Sequence, residues 1–477
     1  MTISRRGFLK TTAGAAGAAA LAWPVRNVLG ANDTVRVGFI GLGGRGRHSV
    51  KWFSGLPGVE VVGLCDPDKG ALASAQKGAP KAKAYTDLRK LLEDKSVDAV
   101  VVSTCNHWHA LATVWACQAG KDVYCEKPLS HSIWEGRKVV EAMTKYKRIV
   151  QTGTQNRSDV GLRPAFEFIQ SGQLGKIKMV RGFCYRNRGS IGKVDGPQPI
   201  PPNVDYDLWS GPREMTPLTR KKLQYDWHWV WATGNGDIGN QGPHETDLCR
   251  WVVGKKDLPP RVISIGGRFC WNDDGETANT QLVVLDYGDV PILFEVRNLG
   301  RKKGQSAEDA YKGVRVGVVV ECEGGYFAGG RGGGWTYDNK GERIKQYKGD
   351  AGGNHHKNFI DAVRSRKGET LHSDANEGHL SAALAHMGNI SHRVGKAAGN
   401  DACTEAIKAN KEACESLGRI TEHLKSNEVD FTKTPLTLGP WLTMDSAKEQ
   451  FTGEFADQAN KLVRETYRSP YVIPDQV

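Results

Sequence analysis

The chain has 477 residues, 39% apolar and 25% charged, enough for two domains with sizeable cores. Lysine and arginine number 65 against 53 acidic residues, a formal charge of +12 spread along the chain rather than gathered in a run, which argues against a nucleic-acid partner. The ten cysteines are scattered without a C-x-x-C pair, so neither a disulfide framework nor a zinc or iron–sulfur centre is expected, and no metal is assigned.

Residues 1–31 read as an export signal. Ser4-Arg5-Arg6-Gly7-Phe8-Leu9-Lys10 has the twin-arginine pattern, followed by a small-sided apolar stretch from Ala13 to Trp23. That stretch is too short to span a bilayer, so a processed secretory segment is expected, cleaved near Gly30 or Ala31. The segment carries Arg5, Arg6, Lys10 and Arg26 and no acid, so four of the twelve excess charges leave with it. The expectation is a periplasmic or otherwise exported protein, passed already folded to the twin-arginine translocase, without a stable membrane span.

Residues 32–153 read as a doubly wound α/β Rossmann domain with a parallel sheet. Val35 to Ile40 is a short apolar strand, and Gly41, Gly43 and Gly46 give G-x-G-x-x-G at its exit, with Gly44 and Arg45 inside the motif. Gly41 permits the tight turn, Gly43 lets backbone approach a pyrophosphate, and Gly46 lets the helix pack closely on the strand. The helix beginning near Arg45 offers its N-terminal N–H groups and positive dipole end to phosphates. A second strand, Val59 to Cys65, ends at Asp66, twenty positions after Gly46, where a carboxylate accepts hydrogen bonds from a ribose. Asp66 would repel a 2′-phosphate, which points to NAD rather than NADP. Val97 to Ser103 is a near-continuous apolar strand of the kind buried on both faces. It runs into Thr104-Cys105-Asn106-His107-Trp108-His109, and the strand Asp122 to Cys125 runs into Glu126-Lys127-Pro128. Both motifs fall at strand carboxyl ends, where ligands bind in such sheets.

These motifs, with the later Gly239-Asn240-Gln241-Gly242-Pro243-His244-Glu245-Thr246-Asp247, resemble the glucose–fructose oxidoreductase/inositol dehydrogenase/MocA family from about Val35 to Arg393. The resemblance implies that Lys127 lies beside the nicotinamide and the substrate hydroxyl and assists proton transfer. It also places Thr104, Asn106 and His109 on the nicotinamide side, and Glu126 beside the cofactor. Many members have an aspartate four residues before the histidine matched by His244; here that position is Asn240. An amide holds a hydroxyl but accepts no proton, so base work shifts to Lys127 or His244.

Residues 154–400 read as an α+β substrate domain. A helix is expected from about Asp159 to Gln170. Strands are expected over Ile177–Tyr185, Val262–Phe269, Thr280–Tyr287, Ile292–Val296 and Val314–Glu321, forming an open-faced, mostly antiparallel sheet. The long stretch from Asn187 to Asn235 is functional or serves subunit contact. Within it, Tyr225 to Trp231 carries three alternate tryptophans, which either pack or form a sugar platform. Arg157, Trp227, His228 and Asp247 are taken as substrate-binding. Asp374 to Arg393 is a capped helix that returns to the Rossmann domain. Residues 401–477 form an extension with helices near Thr404–Leu424 and Ser446–Tyr467.

The expected function is an exported NAD-dependent oxidoreductase acting on a hydroxyl of a sugar, glycoside or polyol, with tightly bound cofactor and a homo-oligomeric assembly. Two alternatives stand beside it: an NAD-dependent glycoside hydrolase or lyase using transient oxidation and elimination, and a non-catalytic sugar-binding protein.

Overall fold

The structure, a computed structural model, describes residues 34–477. The twin-arginine segment lies outside the described residues.

The expected β-α alternation produces the first layer: β1 (Val35–Ile40), α1 (Gly44–Ser54), β2 (Val59–Cys65), α2 (Lys69–Gln76), β3 (Lys83–Tyr85) and α3 (Leu88–Glu93). It continues through β4 (Ala99–Val102), α4 (Asn106–Gln118), β5 (Asp122–Cys125), α5 (Ile133–Tyr146) and β6 (Val150–Thr152). The six strands are parallel in the order β3-β2-β1-β4-β5-β6. Every residue of β4 and β5 is buried, as both-face coverage demands. The strand order reverses between β1 and β4, and the crevice at their carboxyl ends is where such sheets take ligands.

The second layer opens with a short 3₁₀ turn at Gln155–Ser158 and α6 (Leu162–Gln170), in place of the single expected helix. It continues with β7 (Ile177–Tyr185), α7 (Tyr206–Ser210), α8 (Gly236–Asn240), α9 (Gly242–Val253), β8 (Arg261–Gly267), β9 (Thr280–Asp286) and β10 (Ile292–Arg297). Next come β11 (Val316–Cys322), β12 (Gly325–Gly330), β13 (Gly333–Asp338), β14 (Arg343–Lys348), α10 (His355–Ser365), α11 (Ala375–Val394) and β15 (Lys396–Ala398). The chain ends with α12 (Asn400–Ile407), α13 (Lys411–Ser426), β16 (Leu436–Leu438), β17 (Leu442–Asp445), β18 (Gln450–Thr452) and α14 (Ala456–Val463). One 12-stranded sheet results; it is mixed, because β7 and β10 pair in parallel while their other partners run antiparallel.

Side chains alternate across this sheet. Val180, Val283 and Phe294 face inward against α9 and α11, whereas Met179, Ile265, Leu282 and Leu293 face the other way. The sheet is not open along its whole length, because α12 and α13 cover part of that second face with Ile407, Leu417, Ile420 and Leu424. Each such side chain contributes roughly 1.5–3 kcal/mol by leaving water. This part of the extension thus seals sheet surface.

Two boundaries differ from the linear division. α10 packs Phe359, Ile360 and Val363 against Val35, Phe39 and Phe53, so it belongs to the Rossmann layer despite lying within 154–400. The C-terminal residues Tyr471, Ile473 and Val477 also join a Rossmann core. The expected helix over Ser446–Tyr467 is instead the β17–β18 hairpin followed by the short α14. Gly453, at φ +84°, breaks any continuous helix, and Phe451 pairs with Met444 across the hairpin.

Candidate active site

The glycine loop is shaped by contact. A Cβ on Gly41, at φ +86°, would stand 2.7 Å from the Ser103–Thr104 backbone, and one on Gly46 would stand 1.9 Å from the Gly41 carbonyl oxygen. These two glycines bring the β1–α1 turn against the β4 exit and α1 against the turn. Gly43 and Gly44 face open space, with nothing within 4 Å of an added Cβ. No side chain caps α1 and its first turn holds no acid. Asp66 lies at the end of β2, where its carboxylate accepts from the Leu42 N–H at 2.6 Å and the Asp68 N–H at 2.8 Å. Burial raises this carboxyl to about 6, against the lowering effect of those two bonds. An open glycine cradle, an uncapped positive helix end and a carboxylate at the second strand's tip fit a dinucleotide.

From this loop a cavity of about 790 Å³ runs to the junction of the two layers, bordered by Thr104, Asn106, His109 and Glu126 and reaching Lys127, Asn240 and His244. Asn106 and His109 also act as braces. The Asn106 amide donates to Asn235 Oδ1 at 2.9 Å, tying α4 to the second layer. The His109 ring bridges the carbonyls of Pro128, 2.6 Å away, and Thr104, 3.1 Å away. The loops carrying Thr104 and Lys127 are thereby held as one unit. Glu126 accepts from Arg45 Nε at 2.7 Å and from Gln155 Nε2 at 3.2 Å. Burial opposes its ionisation, but Arg45 and Lys127 outweigh it and hold its carboxyl below the usual range.

Lys127 is the chemically distinctive group. Its ammonium donates to the Asn240 carbonyl at 2.5 Å and stands 3.4 Å from Asn240 Oδ1. Burial lowers it to about 8, against the raising influence of Glu126. His244, in the first turn of α9, lines the same cavity. Burial, then the Lys127 charge, holds its imidazole well below the ordinary value, so it is neutral at physiological pH. Its Nδ1 is buried without a hydrogen-bond partner. Behind Asn240 lies Asp237, which sequence reasoning missed. Fully buried, it accepts from the Asn240 amide at 3.1 Å, Asn298 at 2.6 Å and Arg188 at 2.8 Å. Its signal was present only as an acid three residues before Asn240.

The long 187–235 segment forms a roof over the crevice. Asp205 N–H donates to the Pro67 carbonyl at 3.0 Å and Lys69 N–H to the Asn203 carbonyl at 2.9 Å. Asp68 accepts from the Asn203 amide at 2.5 Å and from the Gln224 amide at 3.3 Å. Trp227 and His228 line the cavity as stacked rings with centroids 3.6 Å apart. Trp229 is buried in packing, so the aromatic run divides between cavity wall and core.

Arg157 and Asp247 require a correction. Both are buried and neither borders the cavity. Arg157 Nη2 pairs with Asp247 at 2.9 Å and with Glu377 at 2.9 Å, locking the turn before α6 to α9 and α11. Their charges are consumed structurally. Among the described residues, no group of three or more His, Cys, Asp or Glu is placed to hold a metal, all ten cysteines are free, and no helix is long and apolar enough to cross a membrane.

Fold and site together define a dinucleotide-binding Rossmann protein with a candidate acid–base centre at its domain junction. Residues 35–154 match the model of an oxidoreductase family's NAD-binding Rossmann fold, and residues 162–293 match that family's C-terminal alpha/beta domain. These matches span more than half of the chain, which belongs to the glucose–fructose oxidoreductase/inositol dehydrogenase/MocA family. Inositol 2-dehydrogenase of Salmonella typhimurium is 38% identical over 178 residues, covering 37% of this chain and 53% of that protein. A glycosyl hydrolase family 109 protein of Shewanella pealeana is 33% identical over 175 residues, 31% of this chain and 38% of that protein. The chain spans about half the length of the first of these curated relatives. The crystal structure of the WlbA dehydrogenase from Bordetella pertussis, in complex with NADH and UDP-GlcNAcA, aligns with TM-score 0.56 at 20% identity, covering 74% of this chain and 95% of that one. That likeness concerns the fold.

Proposed function

We propose that this protein is an exported NAD-dependent oxidoreductase that oxidises a hydroxyl of a sugar, glycoside or polyol. The observation that carries the reading is the half-buried Lys127, brought to about 8, in one cavity with His244 and the open glycine cradle. The inositol dehydrogenases among the relatives support the substrate class, and the twin-arginine motif supports export.

NAD, when bound, supplies the acceptor for the hydride leaving the carbinol carbon. The glycine loop and α1 N-terminus hold its pyrophosphate and Asp66 its ribose. Lys127, as the neutral amine, takes the hydroxyl proton at Nζ; a group titrating near 8 is well matched to that task. His244, held neutral, is a poor base and serves as a polar ring on the cavity wall beside the hydroxyl. Asn240 orients the Lys127 head through its carbonyl, and Asp237 fixes the Asn240 amide. The 187–235 roof excludes water and slows cofactor loss, which suits an enzyme working where free nicotinamide is scarce.

The same enclosure, with Asn240 standing where many relatives carry a carboxylate, favours a second reading. In that cycle the cofactor is reduced and reoxidised within one turnover, splitting a glycosidic bond without net redox change; one relative bears a glycosyl hydrolase name. Purified protein, assayed for bound nucleotide and then mixed with sugars, polyols and glycosides, separates the two. Net NADH formation supports oxidation, sugar release without NADH supports the internal cycle, and neither with any substrate refutes both.

A further inference from the structure

Beside the main cavity lies a second chamber of about 430 Å³, within the range of small-molecule pockets. Gln241, His244 and Arg331 line both spaces, so the chamber adjoins the proposed reaction centre. Its walls carry three guanidinium groups drawn from distant parts of the chain: Arg186 just beyond β7, Arg315 just before β11, and Arg331 in the β12–β13 turn. Arg315 is paired with Glu308. Among the described residues Arg186 and Arg331 have no carboxylate partner; the nearest polar contact of Arg186 is Gln241 Oε1 at 3.5 Å. Glu245 is the chamber's sole acid, buried and contacted by the Gln241 amide at 3.2 and 3.4 Å. Burial pushes its carboxyl well above the usual range, and it pairs with Gln241 rather than with either arginine. Glycines 313, 329 and 330 keep the remaining wall low.

Two exposed guanidinium groups without carboxylate partners, on a chamber that shares His244 with the reaction centre, offer a place for an anion near the reacting hydroxyl. Arginine presents a planar fork that matches carboxylate and phosphate oxygens. We propose that the substrate is an anionic sugar whose acidic group is held in this chamber by Arg186 and Arg331 while its hydroxyl lies at Lys127 and His244. Only the placement of the hydroxyl at Lys127 and His244 rests on the oxidoreductase reading. Carboxylate and phosphate share the required chemistry.

The test is calorimetric binding to the purified protein with its retained cofactor. Glucose and galactose are compared with glucuronate, galacturonate and glucose 6-phosphate, in the wild type and in an Arg186→Gln/Arg331→Gln variant, at low and high salt. At least one acidic sugar is expected to bind about 10-fold or more tightly than its neutral parent, since hydrogen bonds to charged groups carry discrimination of that order. The preference should shrink with salt and largely vanish in the variant, and the uronate and phosphate arms identify the acidic group. Wild-type salt dependence keeps the test valid if the variant folds poorly. Charge-dependent binding supports the chamber whether or not the same acids form NADH, and absorbance at the NADH band tests the oxidoreductase reading separately. Neutral sugars binding as tightly as acidic ones, no detectable binding of any acid, or a folded variant that keeps the preference would each overturn the proposal.

Discussion

Replacing Glu126 with Gln should move the pH dependence of sugar oxidation downward. In the native site Lys127 titrates near 8, with burial lowering it and the Glu126 carboxylate raising it. Below that value the amine is protonated and accepts no proton, so kcat rises as pH passes through about 8. Glu126→Gln preserves shape but deletes the charge, and it releases Arg45, whose guanidinium also lowers Lys127. Unit charges of order 7 Å apart interact by about 2 kcal/mol at an effective dielectric near 20, and 1.36 kcal/mol moves a pKa by one unit. The inflection should therefore fall by about one to two units. The assay is kcat against pH at saturating substrate, read at the NADH band, with bound nucleotide quantified in every sample. An inflection that stays near 8, or rises, refutes the assignment of Lys127 as the titrating base.

Three other outcomes are expected. Asp66→Ala should weaken NAD binding by about 10-fold or more, as loss of charged hydrogen bonds does, and reduce discrimination against NADP; unchanged selectivity by calorimetry would remove Asp66 from cofactor recognition. Gly46→Ala should abolish cofactor retention and lower Tm, because the new Cβ would stand 1.9 Å from the Gly41 carbonyl oxygen; native Tm with full NAD content would contradict that packing. Arg5→Lys with Arg6→Lys should trap the protein in the cytoplasm, and undiminished protein in the periplasmic fraction would end the export claim.

What was legible in the sequence was local chemistry. Gly41, Gly43, Gly46 and Asp66 announce themselves because a turn, a close approach and a strand tip impose residue types at fixed spacing. Glu126-Lys127-Pro128 and Asn240 to His244 are equally compact. What escaped was made by distant contacts. Arg157 and Asp247 look like substrate ligands beside their motifs, yet Asp247 and Glu377 together consume the Arg157 charge across 90 and 220 positions. Arg186, Arg315 and Arg331 form no pattern in the chain and converge only because β7, β11 and β12 are neighbours in the sheet. Ser446 to Tyr467 has a helical composition, but one left-handed glycine and a paired Phe451 convert its first half to a hairpin. Asp237 gave no sign of its role, which depends on Arg188 and Asn298 folding around it.

Whether Lys127 and His244 serve one reaction on a substrate hydroxyl is decided by Lys127→Ala and His244→Ala prepared in parallel, with retained NAD measured by mass spectrometry and turnover measured on the best substrate. Full cofactor content is expected in both, with turnover lowered by about 10²–10⁴-fold for Lys127→Ala, roughly 3–5 kcal/mol of barrier, and by a smaller factor for His244→Ala. Near-normal turnover of both variants with NAD still in place would contradict that shared role.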